Sequence, residues 1–171
     1  GLTYASPGSG SPMHILGELF NKVAGVKIDH VPYKGVAPAV NDLIGGHVPT
    51  TFMTYGPLAP YVGTKVNVLA VADSKRTSLS PNVPTLAELG YKGVEVTAWQ
   101  GIFAPKGLSP EIAKLLNGHM NEILKMPDVV SKMHTFGALP AGGDSAQLGK
   151  LNADDYNRFG KLIKELGIHA D

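Results

Sequence analysis

Leu2-Thr3-Tyr4-Ala5-Ser6-Pro7-Gly8-Ser9-Gly10-Ser11-Pro12-Met13-His14 decides how this chain folds. Residues 2–5 read as a short apolar strand, 6–11 as a loop of glycine and serine, and the residues that follow as a helix. The helix carries apolar residues at 13, 15, 16, 19, 20, 23 and 24, the i, i+3, i+4 spacing of a helix with one buried face. Ser11 is a natural N-cap, because its hydroxyl accepts from a backbone N–H one turn on. Pro12 suits the first helical position, where the amide it lacks would have no partner. Amides, hydroxyls and the positive end of a helix dipole meet in one loop, which is a way of holding an anion. The same residues also make an ordinary strand-to-helix turn. No Gly-Lys-Ser/Thr follows, so this is not a Walker loop, and Met13 stands where the dinucleotide fingerprint needs glycine.

Gly25 reads as the left-handed cap that ends this helix. Residues 26–31 alternate as a strand does, Pro32-Tyr33-Lys34-Gly35 is the next loop, and Val36–Ile44 is a second helix ended by Gly45-Gly46. Residues 50–55 are β-branched and aromatic, hence a strand, and Gly56-Pro57 opens a third loop. A short helix over 58–62 and an apolar strand over 66–72, buried on both faces, come next. Strand alternating with helix predicts an α/β fold with a parallel-rich sheet. Ligands bind beyond the carboxyl ends of such strands, so the loops at 6–11, 32–35 and 54–57 are expected along one edge.

The remainder changes character. Residues 73–84 form a surface loop, 85–89 a short helix, and 94–103 a long extended run holding Trp99, the single tryptophan. Trp99 reads as core or as a ligand wall. Ser109 and Pro110 open a helix with apolar residues at 112, 115, 116, 120, 123 and 124; Pro127 starts another, closed by Gly137. Residues 138–139 add a small edge strand, and a last helix over 145–166, capped by Gly167, sets 148, 151, 159, 162, 163 and 166 on one side. Amphipathic faces of this kind need a partner layer.

Composition narrows the function. The chain of 171 residues suits one sizeable domain, or one and part of another. Its 15 basic and 14 acidic residues are scattered and leave a net charge of +1, without the basic stripe that nucleic-acid binding requires. Without cysteine there are no disulfides, thiolate nucleophiles or cysteine zinc sites. No apolar run approaches the ~18–20 residues that span a bilayer. The chain begins at Gly1 directly before a strand and carries no signal peptide, which raises the expectation of processing or truncation.

For chemistry, a nucleophile elbow needs Gly-x-Ser-x-Gly, whereas Gly8-Ser9-Gly10-Ser11-Pro12 stands here. His14, three residues past the cap, reads as a polar ligand contact or capping group rather than a general base. None of the six histidines pairs with another at i, i+4 on one helix face, so no metal site or cofactor is expected. Each reads most simply as a surface or capping residue. The candidate ligand contacts are therefore Ser6, Gly8, Ser9, Gly10, Ser11 and His14 in the first loop. Tyr33, Lys34 and Gly35 in the second add a point charge, and Thr54, Tyr55 and Gly56 in the third add hydroxyls and a glycine amide.

Leu2–Ser11 with His14 and Glu18-Leu19-Phe20 resembles the solute receptors of tripartite tricarboxylate transporters, the Bug or TctC proteins. So do Val31-Pro32-Tyr33-Lys34-Gly35, Ala37-Pro38-Ala39, Asp42-Leu43, Leu69-Ala70-Val71, Ser74-Lys75-Arg76 and Val83-Pro84-Thr85. Val96-Thr97-Ala98-Trp99-Gln100-Gly101, Ala104-Pro105-Lys106-Gly107 and Gly167-Ile168 complete a set that covers essentially the whole chain. The resemblance implies a periplasmic, non-enzymatic receptor of the type II periplasmic-binding-protein architecture that delivers a small carboxylate to membrane permease subunits. Residues 1–95 would then be the second, ligand-binding lobe, 96–103 a hinge strand, and 104–171 the helical C-terminal part of the first lobe. Family members carry a further first-lobe segment on the order of a hundred residues, the size of a small domain, with a Pro-Gly-Gly loop that is absent here. Met53-Thr54-Tyr55 stands where many members have an acidic or amide residue, so ligand preference does not transfer. Exposed helical stripes would make such a fragment prone to self-association. An effector-binding domain of a transcription regulator is the alternative with the same fold, and a serine hydrolase a third.

Overall fold

In the computed structural model, which describes residues 1–169, the strand at the head of the chain is the centre of the sheet. β1 (Thr3–Ser6) pairs in parallel with β2 (Asp29–Pro32) on one side and with β3 (Thr50–Thr51) on the other. Tyr4 lies beside His30 and Thr50, and Ala5 beside Val31 and Thr51. Successive side chains of a strand point to opposite faces, and both faces of β1 are covered, since Tyr4, Ala5 and Ser6 are buried.

The helix α1 (Pro12–Ala24) covers the Tyr4 face. Ser11 Oγ accepts from the His14 N–H, Pro12 sits in the first turn, and Gly25 ends the helix in the left-handed conformation at φ 65°. Its buried residues are Ile15, Leu16, Gly17 and Leu19. Gly17 lets the helix approach: a Cβ there would lie 2.3 Å from Cζ of Tyr4. The Tyr4 hydroxyl donates to Glu18 one residue on, at 2.7 Å. Burial, with the carboxylate beside it, pushes that phenol's pKa up. On the other face α2 (Val36–Ile44) contributes Ala39 to a core with Ala5 and Val48, against which Tyr33, Leu43 and Met53 pack.

Several elements are shorter than the sequence predicts. The expected strand over 26–31 pairs only from Asp29, because the end of α1 claims the residues before it. Asn21 bonds both the N–H and the carbonyl of Ile28 through its side chain and accepts from the Val26 N–H through its backbone. The strand expected over 50–55 stops at Thr51, since Tyr55 already opens α3 (Tyr55–Leu58), which a 3-10 turn, Ala59–Tyr61, continues. The run 66–72 joins no sheet and is not buried on both faces. It makes single bridges, Val62 to Val66 and Val71 to Thr85, and Leu69 is 75% exposed. Residues 85–89 form one turn rather than a helix. Thr85 Oγ1 accepts from the Glu88 N–H while Glu88 accepts from the Thr85 N–H, a reciprocal capping box. The Tyr91 N–H closes that turn on the Leu86 carbonyl.

Over 94–103 there is no ladder, so the expected hinge strand is not one. Val94 and Val96 are buried and the Val96 N–H reaches the Ala72 carbonyl, but Phe103 is 64% exposed. Trp99 is half-buried and donates from Nε1 to Asp155 at 2.7 Å. The helices α4 (Pro110–Ile123), α5 (Pro127–Thr135) and α6 (Ser145–Leu166) follow as expected, whereas residues 138–139 form no strand. The helical segment expected to run to 171 is described to residue 169. No helix among the described residues is long and apolar enough to cross a membrane.

The chain divides into two units, residues 1–98 with the end from Lys161 onward, and residues 99–160. Among the described residues every buried apolar one belongs to the first, and none of residues 99–160 is buried.

A methyl group at Gly17 would have two opposed effects. Alanine is the better helix former by about 1 kcal/mol, but overpacking a core costs about 1–3 kcal/mol. Denaturant unfolding should find Gly17→Ala less stable than wild type. Gly118→Ala, in α4 where a Cβ meets nothing within 4 Å, should be as stable or more so. Equal effects at the two positions would refute the close-packing account.

Candidate functional site

All three strands of the sheet run the same way, so the loops that follow them gather at one edge. The first loop, from the central strand, lies between the others and is tied to the second by backbone. The Tyr33 N–H donates to the Ser6 carbonyl at 3.0 Å and the Gly35 N–H to the Pro7 carbonyl at 2.9 Å. Gly8 takes a positive φ of 155°, and a Cβ on it would come into contact with the Tyr33 carbonyl at 3.4 Å. On the β3 side, Thr51 Oγ1 donates to the Ala5 carbonyl at 2.9 Å.

Most polar groups of the first loop are engaged inside it. The Gly8 N–H donates to Ser6 Oγ at 3.2 Å, the Gly10 N–H to His14 Nδ1 at 3.1 Å, and the Ser11 N–H to the Gly8 carbonyl at 3.2 Å. Ser11 Oγ is occupied by the helix cap. Of the amides expected to greet an anion, only that of Ser9 lacks a partner among the described residues; Met13, in the first turn of α1, offers a second. The loop is therefore built on itself and presents a narrow set of donors at the positive end of α1.

The second loop brings Lys34, exposed and in no ion pair among the described residues. Tyr33 is anchored at both ends, since its hydroxyl donates to Asp42 at 2.7 Å while its N–H holds Ser6. That hydroxyl, with smaller help from His47, holds the Asp42 carboxyl below the ordinary carboxylate range; the hydrogen bond to Asp42 in turn raises the Tyr33 phenol. In the third loop Thr54 is exposed, and Tyr55 and Gly56 begin α3 half-buried.

His30, expected from the sequence to be a surface or capping residue, lies instead in the layer beneath the first loop. The alternation of β2 places it on the Tyr4 face, half-buried, between the Tyr4 ring at 5.0 Å and the His14 ring at 3.8 Å. Its Nε2 lies 2.6 Å from Ser6 Oγ. The one available signal was that 29–32 alternates in phase with β1. Ser6, though next to a histidine, is buried beneath Gly8 and bonded to that residue's backbone, so it presents no nucleophile to a substrate. Among the described residues no three His, Asp or Glu converge to hold a metal.

The chain is similar to known solute receptors. A model of the tripartite tricarboxylate transporter family receptor matches residues 1–168. Protein BugT of Bordetella pertussis is 36% identical over 167 residues, which cover 97% of this chain and 51% of BugT. The solved structure of R. palustris Rpa4515 with adipate superposes with a TM-score of 0.83 at 33% identity, over 98% of this chain and 56% of that one. MatC (Rpa3494) from Rhodopseudomonas palustris with bound malate superposes with a TM-score of 0.74 at 28% identity, over 95% and 56% respectively. The chain thus spans about half the length of BugT and little more than half of either structural neighbour.

The Tyr33–Asp42 bond has a defined pH signature. Because folding lowers the Asp42 pKa, its stabilisation is complete above the unfolded value of about 3.9 and disappears as the pH falls through the lower folded one. The stability difference between wild type and Asp42→Asn should be constant near neutrality and shift in acid across that window. A difference independent of pH down to full protonation would show that Tyr33 does not perturb Asp42.

Proposed function

The chain belongs to the tripartite tricarboxylate transporter receptor family, and from that premise we propose that it captures a small carboxylate in the periplasm and delivers it to the transporter's membrane permease subunits. What supports this most is the open Ser9 N–H, set between two fixed amides at the head of α1 and joined by backbone to the loop that carries Lys34. An amide at a helix N-terminus and a nearby ammonium recognise a carboxylate without performing chemistry on it. Adipate and malate, held by two structural neighbours, define the ligand class to test. The remaining first-loop residues keep the donors in place, and Thr54, Tyr55 and Gly56 offer contacts to the far end of the acid. On this reading residues 1–95 are the ligand-binding lobe, 96–103 the hinge segment and 104–171 the helical part of the other lobe.

Two hydrogen bonds to a charged ligand, each worth roughly 1.5–3 kcal/mol, correspond to a weak dissociation constant for this chain by itself, from about 6 mM to about 0.04 mM. Exposed charge contacts are screened by salt. In an NMR titration with adipate or malate, the Ser9 and Met13 amides should move most and Gly8 and Gly10 least. Lys34→Ala and added salt should both weaken binding. Shifts confined to other regions would place the site elsewhere.

We also propose that the exposed apolar residues of α4–α6, among them Ile112, Leu115, Leu116 and Leu151, are covered by a second copy when the chain is alone. Sedimentation velocity should then show a mass that rises with concentration. A monomer at every concentration, with no binding of a hydrophobe-sensitive dye, would overturn this.

A further inference from the structure

We propose that His30 is the positioning residue of the first loop, fixing Gly8 through Ser6 and Gly10 through His14 so that the Ser9 amide between them is held ready for a carboxylate. The inference rests on the carboxylate reading for its purpose, but not for the geometry it asserts.

His30 is paired with Tyr4 across the ladder, so its ring falls on the face that also carries Ser6, below the loop. Tyr4 backs the ring at 5.0 Å with 28° between planes. On its other side the His14 ring stacks at 3.8 Å and 14°. The ring is thereby clamped, and what it clamps in return are the two side chains that bond the loop.

Ser6 Oγ has one proton and lies within reach of three groups: the Gly8 N–H at 3.2 Å, the Gly8 carbonyl at 3.1 Å and His30 Nε2 at 2.6 Å. The hydroxyl accepts from the amide. If Nε2 of His30 carries its proton, it donates to Ser6, whose own proton is then directed to the Gly8 carbonyl; Gly8 is held at both its amide and its carbonyl. If Nε2 is bare, Ser6 donates to it instead and the Gly8 carbonyl loses that donor. The tautomer of His30 therefore sets how firmly Gly8 is held.

At the other end of the turn, His14 Nδ1 accepts from the Gly10 N–H at 3.1 Å, so the proton of the neutral ring resides on Nε2. Ring stacking against His30 keeps Nδ1 in line with that amide. A residue two elements away from the loop in sequence thus governs both amides that flank Ser9.

The test uses the whole 171-residue chain labelled with nitrogen-15, with adipate as the probe. Long-range proton–nitrogen spectra of the wild type, without ligand, should show His14 as the Nε2–H tautomer; the Nδ1–H form would overturn the proposal without any variant. His30→Phe keeps a ring for the stack but cannot bond Ser6. It removes the partner that fixes the Ser6 rotamer, so it should shift the Gly8 amide, leave the His14 tautomer intact, and lower adipate affinity by up to roughly tenfold, since the lost bond is not itself a bond to the ligand. His30→Gln can still reach Ser6 but cannot stack, and should disturb Gly10 and His14 instead. Unmoved Gly8 and Gly10 amides in these variants, or moved amides with undiminished adipate affinity, would overturn the proposal. Should the wild type bind no dicarboxylate, the carboxylate reading fails, and the ligand-free spectra still decide whether His30 sets the loop.

Discussion

The contact between the Tyr4 ring and the bare Cα of Gly17 sets how closely α1 approaches the sheet. It lets α1 lie directly on the central strand, and that in turn fixes where the helix begins. Because α1 starts six residues after β1 ends, the intervening loop has little freedom: Pro7 and Pro12 bracket it, and Gly8 and Gly10 take positive φ values of 155° and 74° that other residues rarely adopt. Any larger residue at 17 would push the helix outward and carry its N-terminus, with the donors of Ser9 and Met13, away from the sheet edge. Packing energy in the core is thus converted into placement of the loop.

The loop itself shows why a glycine- and serine-rich stretch at a helix start is not simply a cluster of free amides. Four backbone donors were available between Gly8 and Ser11, and three close on Ser6, His14 and Gly8. An internally bonded loop needs no ligand to hold its shape. It therefore loses little conformational entropy on binding, which favours affinity even when the number of contacts is small. The second loop follows the same logic, since Tyr33 is tied at both ends and Lys34 alone is left exposed.

Local rules made the helices legible: Ser11, Ser109, Gly25, Gly137 and Gly167 mark helix ends that the structure shares, and the order of strand, loop and helix sets the parallel sheet. Strand lengths were not legible, because they depend on which competitor wins a backbone group. Asn21 wins Ile28 from the sheet, Tyr55 belongs to α3, and Val71 pairs with the turn at Thr85 rather than with β1. Of the site, the three loops and their glycines could be read from composition and order. The layer beneath them could not. His30 matters only because register sets it beside Tyr4 and stacking sets it under His14, and no spacing rule joins residues 4, 14 and 30.

The two units also differ in what keeps them folded, and this bears on where binding can reside. Residues 99–160 bury no side chain fully, so their helices lean on local devices. Ser109 caps α4, Asn117 and Asn121 clamp Gly143, and Asp144 with Gln147 forms a reciprocal box at the start of α6. Each such device contributes about 1 kcal/mol, enough to start a helix but not to hold a bundle against unfolding. The first unit instead has apolar packing on both faces of its sheet, and the loops after β1, β2 and β3 spring from it. Local openings concentrate where buried contacts are few. Local openings are therefore expected first in the helices between 110 and 160, whereas Ser6, His14, His30 and Tyr33 belong to the unit that holds the buried core.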